Sequence, residues 1–166
     1  MRTPGLMELC ASIEGTSISN WIQSDSGWFV PAVQSIHILS ISAILIGSAM
    51  INLRILGIAS SDHSLYFVFR RFSPIILMSL VLLLLSGVLM IIGEPARSLA
   101  NSAFQFKMLC LIGALIILWF VSKGLSRDEQ YWQRSASRTA NSKALAIISM
   151  ILWVSIVFAG RWIAYV

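Results

Sequence analysis

The sequence predicts an all-α integral membrane protein, a four-helix bundle preceded by a short N-terminal amphipathic interfacial helix. Three observations carry this. Of the 166 residues, 57% are hydrophobic and 11% charged, whereas a soluble domain carries about 25% charged residues. Four separate apolar runs each come close to the ~17–25 residues that cross a hydrocarbon core as a helix. The basic residues gather between those runs. The same balance excludes disorder, which needs few apolar residues and much charge. Membrane lipid is the first expected partner. Nucleic acid is not expected, despite a formal charge of +5.

Residues 1–27 form an outer interfacial segment. They do not read as a secretory signal, because Glu8 and Glu14 interrupt any apolar core. Leu6, Leu9, Cys10 and Ile13 recur at helical spacing, with Ile18, Trp21 and Ile22 beyond. That pattern suits a helix lying on the interface, or equally a lid packed over the mouth of the bundle.

Residues 28–166 form the transmembrane domain, with spans at about 28–53, 74–92, 104–122 and 144–166. Stretches 54–73 and 123–143 hold three and five basic residues, eight of the 12 in the chain. These two stretches must share one side. By the positive-inside rule that side is cytoplasmic, so both termini face out. Trp21, Trp28, Trp162 and Tyr165 suit an outer aromatic belt, and Tyr66, Trp119, Tyr131 and Trp132 an inner one. Trp153 falls mid-span. Cys10 and Cys110 form no C-x-x-C pair and read as small apolar residues.

Ionisable groups inside spans are costly and usually face the bundle interior or a wet cavity. Three stand out. His37 lies nine residues after Trp28, roughly 13 Å along the first span at 1.5 Å per residue. Lys107 opens the third span and Arg161 lies near the end of the fourth. All three fall in the outer half, with Glu94 at the end of the second span close in depth. His37 shares a helical face with Gln34, Ser40, Ala43, Gly47 and Ser48, and with Ile44. Small and polar residues of that kind line helix contacts in lipid. The histidine can be a hydrogen-bonded tie between helices, an axial ligand of b-type haem, or part of a proton relay. The cations can snorkel to the interface, or pair with Glu94 or an anionic ligand group. One shared outer pocket lined by His37, Lys107 and Arg161 is the economical arrangement.

Several motifs carry a resemblance. They are Trp28-x-x-Pro31 with His37 six residues on, Asn52-Leu53-Arg54-Ile55-Leu56-Gly57, Phe106-Lys107-Met108-Leu109, and Trp153 followed by Gly160-Arg161-Trp162-Ile163-Ala164-Tyr165. Over nearly its whole length the chain is similar to a bacterial family of four-helix membrane proteins of unknown function. More distantly it resembles the haem-b protoporphyrinogen IX oxidases and the copper-resistance D type of membrane protein. In the oxidases an early-helix histidine and a lysine at the start of a later helix serve haem and activity, and His37 and Lys107 occupy similar places. The arginine which that family carries four residues before its lysine is Ala103 here, so the resemblance is read for haem and not for porphyrinogen oxidation.

The resemblance places the protein in a bacterial inner (cytoplasmic) membrane, and the apolar runs and basic loops make it multi-pass, N-out and C-out. It implies haem b, with His37 on the iron and Lys107 or Arg161 on a propionate, for electron transfer or a redox reaction. His63 is roughly 20 Å or more from His37 by helix rise, so a second ligand would come from Lys107, Met90, Met108 or another subunit, or the iron would be five-coordinate. The alternative is a non-catalytic membrane subunit that anchors or stabilises a partner complex. A homo-oligomer or a larger membrane complex fits either reading. A permease fits less well, because no inverted repeat or broken helix is visible.

Overall fold

A computed structural model describes residues 4–24, 27–59, 62–128 and 130–162 of the chain. Among the described residues there are helices and no strands. Two short helices come first, α1 (Pro4–Glu14) and α2 (Ser17–Ser24), then two long ones, α3 (Phe29–Leu56) and α4 (Leu65–Gly93). A single turn, α5 (Pro95–Leu99), leads to α6 (Ser102–Arg127) and α7 (Ala136–Trp162). Four of these, α3, α4, α6 and α7, are long and apolar enough to cross a membrane. The protein is thus a multi-pass membrane protein built as a helical bundle. One end, the terminal end, holds the start of α3 and the finish of α7; the other, the loop end, holds the two basic connections.

The long helices run further than the apolar runs do. A helix of 28 residues such as α3 is about 42 Å long, against about 30 Å of hydrocarbon. Local signals set the ends. Gly57 takes the left-handed conformation (φ 79°), and the N–H groups of Gly57 and Ile58 return to Arg54 and Leu53 carbonyls at 3.1 and 2.9 Å, closing α3. Ser64 starts α4 by accepting from the Phe67 N–H at 3.1 Å. Ser64 lies ten residues before Pro74, which the helix then carries inside itself. Asn101 caps α6 through the Ala103 N–H at 2.8 Å.

In the bundle α3 packs against α4 and α7, and α6 packs against α7, while the backbones of α4 and α6 stay apart. Gly47 lets α4 come close: a Cβ there would stand 2.8 Å from Ile76 Cγ1. Ile44, Ile51, Leu83, Leu111, Ala114, Trp153 and Ile156 form the buried centre. A polar contact lies among them, where the buried Asn52 amide donates to Ser48 Oγ (3.4 Å) on its own helix and to Ser149 Oγ (3.2 Å) on α7. Outward-facing Leu77, Met78, Leu85, Leu109 and Phe158 are exposed, as side chains bathed in lipid are.

The N-terminal segment is a lid with an apolar outer face. Ser19 Oγ donates to the Ile92 carbonyl at 2.8 Å, and Gln23 Nε2 to the Gly93 carbonyl at 3.0 Å. Thus α2 caps carbonyls that the end of α4 leaves open. Trp21 meets Phe29 edge-on at 5.0 Å between ring centres. Ser19, Ile22 and Cys10 are buried, while Met7, Leu9, Ile18 and Trp21 are exposed. Both cysteines are free and buried.

Of the tryptophans assigned to aromatic belts, Trp28 and Trp162 are exposed at helix ends and Trp119 is exposed eight residues before the end of α6, but Trp132 is 4% exposed. Its indole N–H donates to the Val121 carbonyl at 3.2 Å, and its ring covers Gly124, where a Cβ would meet Nε1 at 2.5 Å. The missing side chain at Gly124 makes room for an indole that the sequence places in a belt. Tyr165 lies outside the described residues.

Candidate functional site

His37 is on α3, about two turns from its start, and α3 turns it towards α4 and α6. Its Nδ1 is 2.9 Å from Ser86 Oγ on α4. Its Nε2 is 3.4 Å from Lys107 Nζ on α6. Because the lysine amine donates and Ser86 already donates its hydroxyl to the Leu82 carbonyl at 2.7 Å, proton positions follow. Lys107 donates to Nε2, the ring proton sits on Nδ1, and Nδ1–H donates to Ser86 Oγ. The result is a one-way chain from α6 through α3 into α4.

Two glycines complete the surroundings. Beside the imidazole stands Gly87, where a Cβ would be 3.5 Å from His37 Cε1. Beside the ammonium stands Gly160 of α7, where a Cβ would be 3.8 Å from Nζ. All four long helices therefore meet at this node in the terminal half of the bundle. Lys107 does not reach outward along the lipid face; its side chain lies inside. Among the described residues no carboxylate pairs with it. Glu94 instead binds Arg97 at 2.9 Å, both exposed at the rim.

The structure thus brings His37 and Lys107 into contact. Arg161 follows Gly160 in the last turn of α7 and is exposed. Its side chain is at the terminal end, one residue beyond the glycine that flanks the ammonium. His63 is exposed in the loop connecting α3 and α4 and presents its carbonyl to Arg54 at 2.7 Å. Sequence reasoning missed Ser86 and Gly87, and named Gly160 only as part of a motif. The first two had a signal, a Ser-Gly pair breaking the run Leu82–Leu85.

His37 is the side chain of the node suited to ligate a metal through its ring; among the described residues no group of three or more His, Cys, Asp or Glu gathers to hold one. A ligating histidine usually donates its other ring N–H to a neighbour, which fixes the tautomer and leaves the opposite nitrogen basic. Ser86 does this for His37, so Nε2 is the atom an iron would take. That atom now faces Lys107, and an iron there requires the ammonium to turn aside. A cation beside the ligand suits an anionic propionate.

Comparison with known proteins gives one positive result. Residues 13–166 match the model of a family described as "Family of unknown function (DUF6644)". No curated protein and no solved structure matches the chain. With nearly all of its length inside that match, and with the four apolar helices expected of such proteins, the chain belongs to this uncharacterised membrane-protein family.

Proposed function

We propose that this protein is a small b-type haem protein of the bacterial cytoplasmic membrane, serving electron transfer or a redox reaction at the outer leaflet. The observation that carries the reading is the imidazole fixed through Nδ1 by Ser86, with Nε2 turned to the Lys107 ammonium at 3.4 Å. His37 would hold the iron, and Lys107, with Arg161 further out, would neutralise the propionates. Bound haem supplies one-electron chemistry. The chain supplies orientation, a cationic edge and exclusion of water by α2 above the site. A proton conduit is less well supported, because the chain of hydrogen bonds ends at the Leu82 carbonyl within α4.

A visible spectrum of the protein, purified in detergent from cells supplied with haem, tests this. A reducible Soret band is expected. His37→Ala should abolish it, whereas Arg161→Gln should keep it and shift the midpoint potential. A well-folded, colourless wild-type protein would overturn the proposal. One observation favours a second reading in that case: both nitrogens of His37 are already satisfied within the chain. The node then serves as an internal tie, and the protein as a non-catalytic subunit that anchors a partner complex or a second copy of itself.

A further inference from the structure

The loop end of the bundle holds a second polar place, remote from the His37 node. There α4 and α6 stay apart, and a cavity of about 400 Å³ lies between them, a volume within the range of small-molecule sites. Tyr66 and Phe69 of α4 line it, with Ser122, Ser126 and Arg127 of α6 and Asp128 just beyond that helix. The polar groups of this lining are differently committed. Ser122 Oγ donates to the Trp119 carbonyl at 2.8 Å, and Ser126 Oγ to the Lys123 carbonyl at 3.0 Å. Both hydroxyl protons are thus spent on α6, and the oxygens keep their lone pairs. The Asp128 carboxylate accepts from the Gln130 N–H at 3.1 Å and pairs with Arg134 at 2.6 Å, so its charge is balanced within the chain. Arg127 has no such counter-ion among the described residues. The cavity therefore presents one unbalanced cation, a phenol, and two serine oxygens that can accept.

Depth decides what fills such a place. The apolar run of the third span ends at Ser122, and Lys123 follows. The Lys123 ammonium lies over the Trp119 ring, 4.7 Å from its centre, and that ring is exposed. A cation and an indole together suit the level where hydrocarbon gives way to headgroups. On the facing helix, Tyr66 and Phe69 precede Pro74, where the second apolar run begins. An occupant at that level needs an anion for Arg127, hydroxyl donors for the serine oxygens and an apolar chain for Phe69. A choline head has no donor, and an ethanolamine head would bring its ammonium up to a cation. We propose that the α4–α6 cavity binds phosphatidylglycerol from the leaflet on the side of the basic loops. Its phosphate accepts from Arg127, and its glycerol hydroxyls donate to Ser122 and Ser126 Oγ. The site goes beyond the haem reading and does not require it, since it lies at the other end of the bundle.

The test is native mass spectrometry of the full chain in a maltoside detergent, titrated with dioctanoyl phosphatidylglycerol. A saturable one-to-one adduct is expected, about tenfold tighter than with phosphatidylcholine of the same chain length. Arg127→Gln should erase that preference. Lys143→Gln removes the same charge from α7, outside the cavity, and should leave it intact. Ser126→Ala should weaken phosphatidylglycerol about threefold, the loss of one hydrogen bond. The same variant should bind dioctanoyl phosphatidylmethanol, an anion without head hydroxyls, as the wild type does. All three substituted residues are exposed, so each variant should elute as the wild type does. Equal affinity for phosphatidylglycerol and phosphatidylcholine would overturn the site, as would equal losses in Arg127→Gln and Lys143→Gln. An equal fall for both anionic lipids in Ser126→Ala would remove the role given to the serine oxygens and with it the choice of glycerol. Displacement by glycerol 1-phosphate at the concentrations where the lipid itself displaces would overturn the lipid and make the cavity a site for soluble phosphate esters.

Discussion

A lysine near the end of a membrane helix ordinarily stretches to the interface, because the stem is long and the charge prefers water. Lys107 stays inside, since His37 offers it a nitrogen lone pair and Gly160 offers it space. Glycine therefore has two meanings in this chain, and the distances separate them. A Cβ at Gly87 would stand 3.5 Å from the His37 ring, an ordinary contact. At Gly124 it would stand 2.5 to 2.9 Å from three atoms of the Trp132 indole, and that rigid ring is hydrogen-bonded in place. Gly87→Ala should accordingly leave the thermal midpoint unchanged or raise it slightly, as alanine favours helix. Gly124→Ala should destabilise by ~1–3 kcal/mol through overpacking and shift the Trp132 emission. Equal effects at the two sites would contradict the packing described. His37 and Lys107 were legible in the sequence because charge and imidazole are rare in apolar runs. Ser86 and Gly160 were not, since serine and glycine are common in membrane helices and only contact shows which of them matter.

Helix number was also legible, whereas helix ends were not. Hydropathy marks the part of a helix that lipid touches, but a helix ends where its caps are. Ser64 and Gly57 sit outside the apolar runs, so α4 begins well before Pro74, and α7 begins at Ala136, before the fourth run. The face of each helix is a matter of packing, and α3 offers the sharpest check. Gly47→Leu puts a branched side chain where even a Cβ would lie 2.8 Å from Ile76. Separation of α3 from α4 should follow, seen as a lower melting temperature in detergent; an unchanged midpoint would mean that this face looks at lipid. For α2 the sequence allowed an interfacial helix or a lid; one face, with Ser19 and Ile22, is buried against the end of α4, while Ile18 and Trp21 are exposed. Its anchoring has a convenient reporter in Cys10, 2% exposed. Ser19→Ala removes a hydrogen bond to the α4 terminus, worth about 1 kcal/mol, and should speed maleimide labelling of Cys10. Equal labelling rates would show that the lid is held elsewhere.

At the scale of the molecule, charge and packing act at opposite ends. The basic loops gather at the loop end, and the node and lid at the terminal end. The loop end should be cytoplasmic: a C-terminal reporter that works only in the cytoplasm should be silent, and one that works only outside should be active. The reverse result would invert the molecule and place the node in the inner leaflet. The contact between Asn52 and Ser149 links the first long helix to the last, 97 positions later. At ~5–20 residues per second of synthesis, that interval is on the order of ten seconds. During it α3 has entered the bilayer with an amide whose partner across the bundle has not yet been made. His37 waits a shorter time, for Ser86 arrives 49 positions later. The α3–α4 hairpin can therefore satisfy its histidine before α7 is made, whereas Asn52 gains its partner across the bundle only when the final helix arrives.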